Sequence, residues 1–128
     1  MNRFQAKLIE IKKSNHIQIL QFQLQKQSLT LITLDTIENL KCSYQYSLAI
    51  KPINIAIARE SKRLQSTMNQ LCGTVMAIEF NELLCSITLQ IDNIQLESIV
   101  LKESLKDMDL KVKDNIMILI NISDITLC

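Results

Sequence analysis

Asn2-Arg3-Phe4-Gln5-Ala6-Lys7-Leu8-Ile9-Glu10-Ile11 and Asn69-Gln70-Leu71-Cys72-Gly73-Thr74-Val75-Met76-Ala77-Ile78 read as two copies of one strand. Further along, Leu29 to Leu34 corresponds to Leu96 to Leu101. A polar stretch suited to one helical turn follows each, Asp35 to Leu40 and Lys102 to Leu110. Each copy closes on a matching strand, Ile50-Lys51-Pro52-Ile53-Asn54-Ile55-Ala56 and Ile120-Asn121-Ile122-Ser123-Asp124-Ile125-Thr126. The chain is therefore a tandem repeat over residues 1–58 and 66–128. Between them, 59–65 is charged, polar and free of periodicity, as expected of a linker.

Within each copy the hydrophobic rhythm has period two. Tyr44, Tyr46, Leu48 and Ile50 alternate with polar or small residues, as do Ile87, Leu89 and Ile91, and Ile116, Ile118, Ile120 and Ile122. That is strand spacing, in a chain rich in β-branched Ile. Some stretches change parity. Phe4, Ala6 and Leu8 share one face, while Ile9 and Ile11 fall on the other. Ile17 and Ile19 are followed by Leu20, Phe22 and Leu24. Such slips predict bulges, or strands buried on both faces. The expected fold is all-β: two tandem, small, OB-like antiparallel barrels, each with one short helical turn. A chain of 128 residues with one Gly and one Pro must make its turns largely with Asn and Asp. Asn15, Asn81, Asp92-Asn93 and Asp114-Asn115 are the candidates. Gly73 marks a close approach of backbone inside the barrel.

Composition narrows the function. Fourteen basic against thirteen acidic residues gives a net charge of +1, without the basic excess of a nucleic-acid binder. Only Phe4, Phe22, Tyr44, Tyr46 and Phe80 could stack on bases, and most of them sit at core parity. A hydrophobic fraction of 48% excludes a disordered chain. No apolar run approaches the roughly 18 residues of a membrane span, and the N-terminus lacks a signal-peptide core, so a cytoplasmic protein is expected. Cys42, Cys72, Cys85 and Cys128 form no C-x-x-C pair, and the single His16 is remote from them, so no metal site is expected. The cysteines read as small hydrophobes plus one terminal thiol. No nucleophile has a positioned base, so no enzyme is expected.

Ser66-Thr67-Met68-Asn69-Gln70-Leu71-Cys72-Gly73-Thr74-Val75 resembles the Ser-Ala-Arg-Asn-Gln-Leu-x-Gly-x-Val opening of the molybdate-binding Mop, or TOBE, domain. The strand from Ile50 to Ala56 and that from Ile120 to Ile125 are similar to its closing Val-Lys-Ala-Ser-x-Val. Two such units in tandem resemble the stand-alone di-Mop form, for the chain has no phosphate loop and no room for a helix-turn-helix. The resemblance implies an OB-like barrel assembling as a homo-trimer, with molybdate or tungstate at interfaces between units and no other cofactor. It further implies a role in molybdenum homeostasis, as storage, buffering or delivery.

The implied oxyanion residues are Asn2 and Lys51 from the first half, and Ser66, Thr67, Met68, Asn69 and Ser123 from the second. Backbone N–H groups and hydroxyls suit a tetrahedral dianion, because they donate without a full counter-charge. Met68 stands where the family has Arg, and no residues precede Met1 to supply that segment to the first half. Lys51 has Asn121 as its counterpart, and Ser123 has Ile53. Either complementary pieces assemble one set across an interface, or the sites are degenerate. In the second case the chain is an OB-like interaction or regulatory module, such as a detached subunit of a molybdate transporter or regulator.

Overall fold

The structure is a computed structural model that describes residues 1–60 and 67–128. The first half begins with β1 (Asn2–Ser14), β2 (Ile17–Leu24) and β3 (Gln27–Thr33). It continues through β4 (Gln45–Ile50), a 3-10 turn at Pro52–Asn54 and β5 (Ile55–Ala58). The second half repeats the pattern with β6 (Met68–Phe80), β7 (Leu84–Ile91) and β8 (Ile94–Leu101). Helix α1 (Lys102–Leu105), β9 (Asn115–Asn121) and β10 (Ile125–Leu127) complete it. The strands form two antiparallel five-stranded sheets, ordered β10-β4-β1-β2-β3 and β5-β9-β6-β7-β8. The fold is the expected pair of tandem OB-like barrels.

One feature of that order is invisible in the sequence pattern. The closing strand of each repeat lies in the other repeat's sheet: β5 pairs with β9, and β10 with β4. The exchange is symmetric, with Ile55 opposite Ile120 and Ile125 opposite Ile50. Both sheets therefore share one apolar core, in which Leu8, Phe22, Leu31, Leu48, Ile87, Leu89 and Ile118 are all buried. Each such side chain contributes about 1.5–3 kcal/mol by leaving water.

The parity slip in β1 is a bulge between Leu8 and Glu10, which expels Ile9 and returns Ile11 to face Leu20. β6 carries the equivalent bulge between Val75 and Ala77. Each is braced by a later loop. Leu8 N donates to Tyr44 O, and Ser43 N to Leu8 O; Val75 N donates to Asp114 O, and Lys113 N to Val75 O. Ser43 and Lys113 take left-handed φ values of 75° and 79° to do so, as do Asn39 and Asp109 at another equivalent pair. In the hairpins, Asn15, Gln25 and Asp92 are left-handed. Asn81 is not among them, so the expectation of Asn and Asp turns holds in part. At Gly73 a Cβ would lie 2.6 Å from Ile118 Cδ1 and 3.2 Å from Gln90 O, the close approach expected there.

The second slip, in β2, has another cause. Ile17 and Ile19 point outward, 40% and 38% exposed, and the inward place falls to buried Gln18. Its amide donates to Ile37 O (3.2 Å) and accepts from Ile37 N–H (2.8 Å). This pairing, with the Thr33 hydroxyl bonded at Asp35, holds 35–40 in an irregular course rather than the expected helical turn. The first half's helical turn forms instead at Pro52–Asn54, where Pro supplies a pre-set φ and loses no needed donor. In the second half the turn forms within the expected stretch, as α1.

Candidate oxyanion site

The exchange of closing strands gathers the two connections, 51–54 and 121–124, at one end of the molecule. Both are built alike: Asn54 N donates to Lys51 O (2.9 Å) and Asp124 N to Asn121 O (3.0 Å). Because Ile50 pairs with Ile125, Lys51 leaves β4 where Ser123-Asp124 enters β10. Sequence assigns Lys51 and Ser123 to different halves, and the ladder brings them to the same corner.

At the adjoining corner β6 begins. Met68 pairs with Asn121, and Ile122 N donates to Thr67 O (2.9 Å). The Asn121 amide then links three of the polar groups. Its Nδ2 lies 3.4 Å from Thr67 Oγ1, and its Oδ1 accepts from Ser123 N (3.0 Å) and Ser123 Oγ (2.8 Å). Thr67 and Ser123 are exposed, so their hydroxyl protons can turn toward an incoming ligand. Lys51 is exposed and supplies the local positive charge. Chemically this is a cluster of hydroxyl and amide groups with one cation, Lys51, and one carboxylate, Asp124, at the same corner. Among the described residues no group of three His, Cys, Asp or Glu side chains could hold a metal ion.

Asn2 and Asn69 do something else. Asn2 Nδ2 donates to Glu97 O, and its Oδ1 accepts from Glu97 N–H, both at 2.8 Å. Asn69 makes the same double bond to Thr30, again at 2.8 Å on each side. Each amide mimics a backbone pair and clasps the edge strand of the opposite sheet, β8 or β3. Both side chains are nearly buried, at 9% and 8% exposure. Their amides thus serve the edge strands, Asn2 from the start of β1 and Asn69 from the start of β6. Met68 brings a half-buried thioether to the start of β6. Ser66 lies outside the described residues.

Asn121, which bonds both Thr67 and Ser123, was not among the residues singled out from the sequence. The signal that could have found it was its place as the counterpart of Lys51 in the repeat.

Among solved structures, the fold matches the cytoplasmic molybdate-binding protein ModG, in a crystal form with molybdate bound, at a TM-score of 0.87. The match covers 98% of this chain and 94% of that one, at 21% sequence identity. The likeness is one of fold. No family model and no curated protein matches the sequence.

Cys85 is buried, as a small hydrophobe should be, and the terminal Cys128 is exposed; Cys42 and Cys72 are also exposed, against the expectation of small hydrophobes. Burial pushes the Cys85 thiol up, with Lys102 opposing the shift. A separate ion pair closes the second half's loop. Arg59 meets Asp114 at 2.8 Å and donates to Met108 O (2.8 Å) and Asp109 O (2.5 Å). A hydrogen bond from Lys111 N, together with Arg59, holds the Asp114 carboxyl below the ordinary aspartate value of 3.8. Among the described residues no helix is long and apolar enough to cross a membrane.

Proposed function

We propose that this chain is a cytoplasmic oxyanion-binding protein that holds molybdate or tungstate for storage, buffering or delivery, and that it catalyses no reaction. Residues 1–58 and 66–128 are its two repeats and 59–65 their linker. The observation that carries the reading is the meeting of Lys51 and Ser123 at one corner, beside Thr67 and Asn121. It occurs in a fold shared with a molybdate-binding protein. The ligand set consists of Lys51, Ser66, Thr67, Ser123 and the backbone at Met68, with Asn121 added and with Asn2 and Asn69 as positioning residues. Burying a dianion demands that its hydration be replaced by fixed donors, and the exposed corner of one chain leaves part of that shell open. A homo-trimer closes it, with the anion at interfaces between units.

Isothermal calorimetry with molybdate and tungstate, and sulfate as the control, tests the reading. Heat for the larger anions, with native mass spectra showing a trimer that gains discrete oxyanions, is the expected result. Met68 in place of Arg, and Asn121 opposite Lys51, favour a second reading as an interaction or regulatory module with degenerate sites. No heat from any of the three anions, with the fold intact, leaves that reading in place of the first.

A further inference from the structure

Ser123, Asn121 and Thr67 form a hydrogen-bonded run whose direction can be assigned. A backbone N–H can only donate, so the Asn121 atom 3.0 Å from Ser123 N is the carbonyl oxygen, Oδ1. The amide nitrogen then faces Thr67 Oγ1, at 3.4 Å, and donates to it. Ser123 Oγ lies 2.8 Å from the same Oδ1, an atom that only accepts, so its proton points at Asn121. The donors therefore run one way, from Ser123 through Asn121 to Thr67. The Thr67 proton is left turned away from Asn121. Among the described residues no acceptor takes it, the Asp124 carboxylate included.

We infer that Asn121 is a positioning residue that relays Ser123 to Thr67, so that Thr67 is the hydroxyl that donates to a bound tetrahedral dianion. The inference rests on the oxyanion reading of this corner and gives its polar residues separate roles. Thr67 touches the anion, and Ser123 acts on it through Asn121. A molybdate oxygen has lone pairs and no proton, so it fits the open end of a run of donors. Binding tightens the run, because a hydroxyl that donates becomes a better acceptor, and the longest link is the one at Thr67 Oγ1. The ladder holds both ends in place: Met68 pairs with Asn121, and Ile122 N donates to Thr67 O (2.9 Å). The first repeat has Lys51 and Ile53 at the positions of Asn121 and Ser123. Neither side chain accepts a hydrogen bond, so that repeat holds no such relay.

Molybdate affinity of the full chain, measured by calorimetry in a double-mutant cycle, tests the relay. Thr67→Val keeps the shape, removes the hydroxyl and should weaken binding about tenfold or more. Thr67→Ser should bind like the parent. Asn121→Leu and Ser123→Ala should each weaken binding less, and neither should add to the loss in a Thr67→Val background. Losses that multiply in that background mean that Ser123 or Asn121 meets the anion by itself, and overturn the inference. A parent chain that takes up no molybdate ends the oxyanion reading and the relay's role with it, whereas uptake with independent losses ends the relay alone. Hydrogen exchange supplies a readout without ligand. The Ser123 N–H should lose protection in Asn121→Leu, and unchanged protection overturns the relay whatever the chain binds. Circular dichroism confirms that each variant is folded.

Discussion

The two barrel mouths are closed differently on one scaffold. In the first half an irregular segment covers the mouth and is pinned by the buried amide of Gln18 to the backbone of Ile37. In the second half the equivalent strand position is the buried Cys85, and α1 packs over the mouth with Leu105 inside. The bulges, the bracing loops, the corner turns and the Asn clasps are nonetheless the same in both. What is shared is whatever satisfies backbone groups that the fold leaves unpaired at its edges. What differs is side-chain filling, where an amide or an apolar plug serves equally well provided no polar group is stranded. Among the described residues no buried side-chain nitrogen or oxygen lacks a partner.

The clasps offer the sharpest way to break this comparison. Asn69→Leu should cost about 2–4 kcal/mol, since two hydrogen bonds vanish and the Thr30 backbone loses its partner. Asn2→Leu should cost about as much. Hydrogen exchange should show each lesion in the opposite sheet, around Thr30 for Asn69 and around Glu97 for Asn2. Exchange that rises in the variant's own sheet instead would mean the clasps do not join the halves.

Gln18→Leu strands the Ile37 N–H and C=O and should cost about 1–3 kcal/mol by denaturant unfolding. Cys85→Ala, at the equivalent position, should leave the covering segment intact and show its loss only as packing. Equal loosening of the two mouths would erase the distinction drawn between them.

A smaller effect is expected at Gly73, whose counterpart in the first half is the buried Ala6. Gly73→Ala should destabilise by about 1 kcal/mol, at the low end for overpacking, because the nearest atom is the free end of Ile118. Ile118→Val in the same chain should recover part of that loss. No recovery would place the clash on the Gln90 backbone instead.

The smallest expected effect is electrostatic and confined to the second half, since Tyr44 stands where Asp114 does. Asp114 has its carboxyl held below 3.8, so its stabilisation is present above that pH and lost as pH falls through the lowered value. Asp114→Asn should therefore lower Tm at neutral pH, and the difference should close on acidification. The pair is half-exposed, at 39% and 26%, so the effect should also shrink with salt. A difference that persists at low pH would assign Asp114 a role other than as a charged acceptor.

Much of this architecture was legible in the residues. Alternation gave the strands, and the shift of parity at Ile9 marked a real bulge, because a bulge is the only way β1 can bring both Leu8 and Ile11 inward. The identical slip at Ile19 misled, for Gln18 can occupy an inward position when a backbone partner waits there. Tyr44 and Phe80 sit at core parity yet are 59% and 60% exposed, each beside a loop where the strand pattern ends. The exchange of closing strands was illegible in principle: Ile55 and Ile125 present the same apolar face to either sheet. Without that exchange Lys51 and Ser123 stay in separate halves.

Anomalous diffraction at the molybdenum edge, on crystals grown with molybdate, tests the central claim most directly. A peak is expected at the corner formed by Lys51, Thr67, Asn121 and Ser123, within hydrogen-bond reach of the Thr67 or Ser123 hydroxyl. Well-ordered crystals with no molybdenum at that corner, or with the anion bound only elsewhere, would contradict it.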